Sequence, residues 1–235
     1  MPTIRSIPLL RRWLCVALLL AGCAGTERQS VRPGINKEYL DPALNVAKLD
    51  KRFSAESREV FTERARVAAL LELKPGMAVA DIGAGTGIYL ELFATAVGPT
   101  GKIFAVEIAP PLVDHLRELA RVSGWSQVEV VLCREDSVEL PNAAIDIAFL
   151  CDTYHHFEYP QATLASIHRA LRPGGRLVVV DFIREAGVSR AWVLDHVRAG
   201  EAVFAAEIEA AGFAQLPKPD TSFLMENYVL MFQKR

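Results

Sequence analysis

The sequence predicts a doubly wound α/β domain on a mostly parallel sheet, and three observations predict it. From residue 77 onward, short apolar runs alternate with stretches whose apolar residues recur at helical spacing. The runs are continuously apolar, as strands covered on both faces must be. Between the first run and the first helix of that series lies a glycine-rich turn, Asp81-Ile82-Gly83-Ala84-Gly85-Thr86-Gly87, and Glu107 ends the next run, twenty residues past Gly87. In sheets of this kind ligands bind beyond the carboxyl ends of the strands, beside the first strand, and Asp81, Glu107, Asp136 and Asp152 all fall at or just after such ends.

The chain opens outside that domain. Residues 1–22 hold Arg5, Arg11 and Arg12 with no acid, and 13–20 is an apolar run far too short to span a bilayer. It closes on Leu20-Ala21-Gly22-Cys23, which resembles the lipobox of bacterial lipoproteins. The resemblance implies that residues 1–22 are a signal peptide, that Cys23 is lipidated, and that the protein is anchored in the cell envelope. Ala24 in place of Asp points to the periplasmic face of the outer membrane. The plainer readings are an ordinary export signal cleaved near Ala24, or a leader that does not act and a cytoplasmic protein. Arg11-Arg12 matches a twin-arginine signal only faintly.

Residues 24–37 are polar and broken by Pro33-Gly34, the composition of a tether. From 38 to 53 two readings are open: Tyr39, Leu40 and Phe53 form a lid over a ligand, or they close the bottom of the domain. The domain itself is expected over 54–235. Its first helix is expected from 54 to 73, with Val60, Val67, Leu70 and Leu71 on one stripe and Lys74-Pro75-Gly76 as the stop. A strand follows at 77–80, then a helix after Gly87 with Leu90, Phe93 and Ala94 inward, and a turn at 97–101. The strand at 102–108 leads into a helix opened by Pro110-Pro111, with Leu112, Leu116 and Leu119 on one face. Strands are expected at 128–133 and 145–150, and a helix at 160–171 that ends on Arg172-Pro173-Gly174-Gly175. Residues 177–181 read as a central strand and 182–198 as irregular or briefly helical around Trp192. A helix at 200–211 closes on Gly212, and the run 223–232 contains the last strand.

A chain of 235 residues, 51% hydrophobic and 23% charged, fits one domain with a full core. The net charge of −2 leaves no basic footprint for nucleic acid, and removing the basic leader makes the body more acidic, which disfavours adhesion to anionic lipid through surface charge. Cys133 and Cys151 end strands expected to lie three spacings apart, roughly 14 Å at about 4.8 Å per spacing, so they are expected as free thiols. No cysteine–histidine spacing reads as a metal site.

The glycine turn decides between two cofactor classes. A dinucleotide fingerprint needs a small residue where this chain has Ile88, and the pattern here is acidic-x-G-x-G-x-G. That pattern resembles the first motif of the class I S-adenosylmethionine (SAM) methyltransferases, and residues 54–235 are similar to the group that includes ubiquinone/menaquinone-pathway and arsenite methyltransferases. Glu135-Asp136-Ser137 before Pro141, Ile145-Asp146-Ile147-Ala148-Phe149, and Leu171-Arg172-Pro173-Gly174-Gly175-Arg176-Leu177 match later segments of that family in order. The resemblance implies a Rossmann-like seven-stranded sheet in the order 3-2-1-4-5-7-6, SAM as cofactor, and methyl transfer to a small-molecule acceptor, quinone-like or lipid-like in the nearest group. The small number of cysteines argues against arsenite.

It also assigns residues. Asp81 would meet the SAM ammonium, with Gly83, Gly85 and Gly87 of the turn lying against the cofactor. Glu107 would accept the ribose hydroxyls, its bland alternative being a solvated strand end. Ile108 would lie against the adenine; Asp136, with Ser137, would accept from its amino group or serve only as a turn. Asp146 reads as a structural acid. The segment Cys151-Asp152-Thr153-Tyr154-His155-His156-Phe157 follows the fourth strand, where the acceptor lies in this family, so Asp152, Tyr154, His155 and His156 are the catalytic candidates. A histidine titrating near neutrality could take a proton from the acceptor, or the pair could cap the next helix. A second class of function stays open: an envelope lipoprotein that keeps the fold and binds a ligand without turnover. The intact first motif favours the enzyme, and the leader favours the alternative.

Overall fold

The computed structural model describes residues 29–55 and 58–235. The leader, Cys23 and the first residues of the expected tether lie outside the described residues. The strands are β1 (Ala78–Ile82), β2 (Lys102–Glu107), β3 (Val128–Leu132), β4 (Ile145–Cys151), β5 (Leu171–Phe182), β6 (Phe213–Gln215) and β7 (Asn227–Lys234). They form one sheet in the order β3-β2-β1-β4-β5-β7-β6, as expected. All pairs are parallel except those of β7, which runs antiparallel to β5 and β6.

The helices are α1 (Val46–Phe53), α2 (Glu59–Thr62), α3 (Arg64–Ala69), α4 (Leu90–Val97), α5 (Pro110–Val122), α6 (Pro160–Ala170), α7 (Ala191–His196) and α8 (Glu201–Ala210), with a 3₁₀ turn at Tyr154–His156. The pleat sorts strand residues to two cores, which is why the strands read as continuous apolar runs. Ala78, Ala80 and Ile82 of β1 join Leu164 and Ile167 of α6 and Phe204 and Ile208 of α8 on one face. Val79 joins Val60, Val67, Leu90 and Phe93 on the other.

Three local features differ from expectation and one agrees with it. The helix expected over 54–73 is two short pieces that break at Glu63; Glu59, which opens the first, accepts from the backbone N–H groups of Met225, Glu226 and Asn227 at the start of β7, at 2.6, 2.6 and 2.5 Å. Strand β5 begins at Leu171: Ile145 pairs with Leu171 and Ile147 with Arg176, so residues 172–175 bulge out of register instead of forming a separate turn. The brief helix expected around Trp192 is present as α7, which Arg184 fastens by donating to the carbonyls of Leu194 and Val197 at 2.8 and 2.7 Å. The end of the expected tether is pinned to the domain. Ser30 and the Gly34 N–H donate to the Glu158 carboxylate at 2.7 and 3.0 Å, and the Val31 N–H donates to the Glu158 carbonyl at 2.9 Å.

Asp146 accepts from the Ala78 N–H at 2.7 Å and pairs with Arg172, a structural acid at the strand starts. Cys133 and Cys151 are free thiols, as expected. Among the described residues no helix is long and apolar enough to cross a membrane.

Candidate functional site

A cavity of about 640 Å³ opens over the carboxyl ends of β1, β2, β4 and β5, a size ordinary for a small-molecule site. Its two ends are built differently.

At the first end, β1 delivers Asp81 beside the glycine turn. Asp81 is 3% exposed, and its Oδ2 has no hydrogen-bond partner. Burial, reinforced by Glu107, pushes its carboxyl up to about 7. A buried acceptor without a donor is costly. A ligand ammonium would supply both the donor and the countercharge. The turn after Asp81 leans toward β2, with the Gly83 and Ala84 N–H groups donating to the Val106 carbonyl at 2.8 and 3.1 Å.

Glu107, at the end of β2, is tied into this turn. Its Oε2 accepts from the Gly85 N–H at 2.9 Å, and its Oε1 from the N–H groups of Ile108 at 2.7 Å and Ala109 at 3.0 Å. Burial raises its pKa, against the lowering by those three amides. A carboxylate offers about four acceptor sites, so the carboxylate expected to take two ribose hydroxyls already spends most of its capacity holding the loop.

The glycines have separate reasons. Gly83 and Gly85 line the cavity with Ile108. At Gly83 a Cβ would lie 2.4 Å from the side chain of Thr153, so the loop after β4 rests directly on the turn. Gly87 does not line the cavity: a Cβ there would meet Leu119 and Leu116 of α5 at 2.9 and 3.1 Å, and its role is close packing of helices. Asp136 and Ser137 also stand outside the cavity lining. Asp136 is paired with Arg134 across a short turn, and the Ser137 hydroxyl accepts from the Glu139 N–H at 3.3 Å. Their position is that of turn residues.

At the second end, the turn after β4 carries Asp152, His155 and His156 into the cavity. Asp152 has a buried side chain and a positive φ of 49°, pairs with Arg58, and accepts from the Asn227 amide at 2.6 Å. Burial pushes its carboxyl up to about 6 although Arg58 opposes the shift. His155 is 2% exposed; its Nδ1 lies 2.7 Å from Asp181 Oδ1, and its backbone N–H donates to Asp181 Oδ2 at 3.1 Å. A carboxylate only accepts, so Nδ1 carries the proton. His156 is held by Asn36, whose amide nitrogen donates to the His156 carbonyl at 3.1 Å while its Oδ1 faces His156 Nδ1 at 3.2 Å. His196 of α7 completes the group, its Nε2 at 3.3 Å from His156 Nε2. One ring nitrogen from each of the three histidines lies within 4.8 Å of the others.

Two expectations for this end need correction. The His156 imidazole is pushed down to about 2 by burial and by its neighbours His155 and His196, so it is not a base poised near neutrality. Tyr154 turns away from the cavity: its ring is fully buried against Phe157 and Phe204, and its hydroxyl donates to Glu207 at 2.9 Å. In the 3₁₀ turn of Tyr154–His156 successive side chains point about a third of a turn apart, which sends Tyr154 to the core and His155 to the cavity.

Several lining residues carry no local sign in the sequence. Arg58, Tyr89, Asn36 and His196 come from four separate segments. The Tyr89 hydroxyl donates to the Val60 carbonyl at 2.9 Å. Over the top lie Tyr39, edge-on to His156 with centroids 5.3 Å apart, and Phe53, whose ring is 3.3 Å from where a Gly85 Cβ would be. Of the two readings for 38–53, the cavity roof is the position these side chains take. Leu40 is 40% exposed and does not line the cavity.

Residues 80–179 match the family described as the methyltransferase domain. Over 119 residues the chain is 30% identical to a ubiquinone/menaquinone biosynthesis C-methyltransferase, UbiE, of Burkholderia vietnamiensis, covering 51% of this chain and 49% of that protein. The chain thus spans about half the length of that curated relative. Among solved structures, a SAM-dependent methyltransferase from Aquifex aeolicus superposes with a TM-score of 0.71 at 24% identity, over 81% of this chain and 99% of the other. The [4+2]-cyclase SpnF shares the fold at a TM-score of 0.62 and 21% identity, over 72% of this chain and 80% of that one. The chain therefore has the Rossmann-like fold of the class I methyltransferases, and its centre, residues 80–179, matches their methyltransferase domain.

Proposed function

We propose that this chain is a class I SAM-dependent methyltransferase that methylates a small-molecule acceptor. The observation that carries the reading is the orphaned carboxylate oxygen of Asp81, buried in the cavity beside the glycine turn and Glu107. SAM would supply a methyl group already activated on a sulfonium. In this reading Asp81 holds the ammonium, and Glu107 fixes the turn and offers its remaining acceptor capacity to the ribose. Ile108 gives an apolar surface to the base. The Asp152–His156 turn forms the acceptor end. With the proton of His155 committed to Asp181 and His156 held neutral by burial, the chain acts chiefly by positioning, which alone can supply much of the rate for an activated methyl donor. The relatives named for quinone biosynthesis favour a flat, apolar acceptor, in keeping with the aromatic roof of Tyr39 and Phe53.

The leader adds location: in this reading the protein is exported, loses residues 1–22, and is held in the envelope by a lipidated Cys23. Cys23→Ser should release it from the membrane fraction without changing ligand binding; wild type found uncleaved in the cytosol would reverse the location. Because SpnF is described as a cyclase, the fold alone does not specify methyl transfer. The deciding experiment is thermal denaturation with SAM and with a nicotinamide dinucleotide. A ligand at one hundred times its dissociation constant stabilises by roughly 2.7 kcal/mol. A melting shift with SAM and none with the dinucleotide is expected; the reverse pattern would overturn the reading.

A further inference from the structure

The three histidines at the acceptor end have a geometry that methyl transfer does not require. They come from two separate segments, the turn after β4 and helix α7, and meet at one wall of the cavity. Two of the rings are oriented from behind. His155 gives its Nδ1 proton to the fully buried Asp181, and His156 faces Asn36 Oδ1 through its Nδ1. The Asn36 amide is itself oriented, because its nitrogen donates to the His156 carbonyl. With both Nδ1 atoms committed, the opposite nitrogens of His155 and His156 are bare lone pairs, and His196 Nε2 is the ring donor near them. Imidazoles whose far nitrogens are held by a carboxylate and a carbonyl are the arrangement that fixes ring orientation around a metal ion.

We propose that His155, His156 and His196 form a binding site for one divalent transition-metal ion of the zinc class, open toward the cavity. Two nitrogens bound tetrahedrally at about 2.0–2.1 Å from zinc lie about 3.3–3.4 Å apart. The His156–His196 separation of 3.3 Å already meets this, and the remaining separations, within 4.8 Å, close by a small shift of α7, which carries His196. An all-imidazole set favours zinc, copper, nickel or iron over magnesium and calcium, which take oxygen ligands. Three protein ligands leave a position for water or for an oxygen or sulfur of a bound molecule. In the methyltransferase reading, that position would hold the acceptor heteroatom and favour its deprotonated, nucleophilic form. This use of the metal rests on that reading; the metal site itself does not. The sequence gives no sign of it because the third ligand lies forty residues beyond the other two, inside a stretch without a metal-site spacing.

The test uses untagged full-length protein in detergent, stripped with chelator and dialysed against Zn²⁺ or Co²⁺. One bound equivalent is expected, with the intense visible absorption of four-coordinate Co²⁺. His196→Ala should weaken Zn²⁺ binding at least 100-fold while the metal-free melting temperature and SAM affinity stay as in wild type. Should His196→Ala fold poorly, His196→Gln carries the same expectation. Asp181→Asn should weaken metal binding by roughly 10–100-fold, the usual range for such outer partners. Less than a tenth of an equivalent bound by wild type, or stoichiometric metal that the His196 variants bind equally well, would overturn the proposal. SAM titrated in parallel keeps the two readings apart: metal bound without SAM would overturn the methyltransferase reading alone, and SAM bound without metal would overturn this one alone.

Discussion

The two ends of the cavity are made in opposite ways. At the Asp81 end, one strand, one turn and one acid at the next strand's end make almost the whole site, and the groups lie within a span of 27 residues, 81–107. At the histidine end, Asn36, Arg58, the Asp152–His156 turn, Asp181 and His196 come from five stretches of chain. The first is a local consequence of strand–turn–helix geometry. The second exists only once the sheet order is set and the amino-terminal segment and α7 have closed over it. The first end therefore leaves an acceptor unpartnered, ready for a ligand, whereas the second spends most of its polar groups on one another.

That contrast is tested most severely at Glu107, which belongs to the local end yet acts as a tie. Glu107→Ala leaves three backbone N–H groups without their acceptor, and each such loss costs roughly 1–3 kcal/mol. A stability loss of several kcal/mol in urea denaturation is expected, beyond any effect on ligand binding. An alanine variant as stable as wild type would show that Glu107 serves the ligand alone.

Asp81 should behave in the opposite sense. Its folded pKa of about 7 lies above the unfolded value of 3.8, so the folded chain binds the extra proton. The associated stability is fully present below about pH 4 and is lost as pH rises through about 7. Asp81→Asn removes this dependence, so the variant should exceed wild type by roughly 1–3 kcal/mol at neutral pH, with the gap shrinking toward pH 4. Paired thermal melts from pH 4 to 8 check it. An asparagine variant less stable than wild type at pH 8 would mean that Asp81 has a protein partner.

The smallest effect belongs to Tyr154. Tyr154→Phe keeps the ring among Phe157 and Phe204 and loses one hydrogen bond to Glu207, worth about 1 kcal/mol. SAM affinity and turnover should be unchanged. A large loss of turnover at unchanged stability would return Tyr154 to the site.

What was legible in the sequence follows the same division. The parallel sheet and the placing of Asp81 and Glu107 at strand ends follow from patterns that span a few residues and from the fixed hand of βαβ units, whereas the full strand order follows from the family resemblance. Strand β6, three residues long, is too short for any periodicity to show. Spacing cannot tell a glycine that admits a ligand from one that admits a helix, which is why Gly87 reads in the sequence as a ligand contact. Asp136 and Tyr154 take their expected places only from their neighbours in sequence, and a single residue's change of direction sends each elsewhere. His196 and Asn36 could not be paired with His156 without knowing how α7 and the segment before α1 lie across the strand ends.

The most direct test of the central claim, that the unpartnered Asp81 Oδ2 waits for the SAM ammonium, is calorimetric titration of SAM into wild type and Asp81→Asn between pH 5.5 and 8.5. A cationic ligand draws the proton off Asp81, so wild-type affinity should rise with pH and level off above about 7, with a proton released at pH 6. Asp81→Asn should bind roughly 10–150-fold more weakly at pH 8, the loss of a charge-assisted contact worth about 1.5–3 kcal/mol, with no such pH dependence. SAM affinity that is independent of pH and equal in the two proteins would contradict the claim.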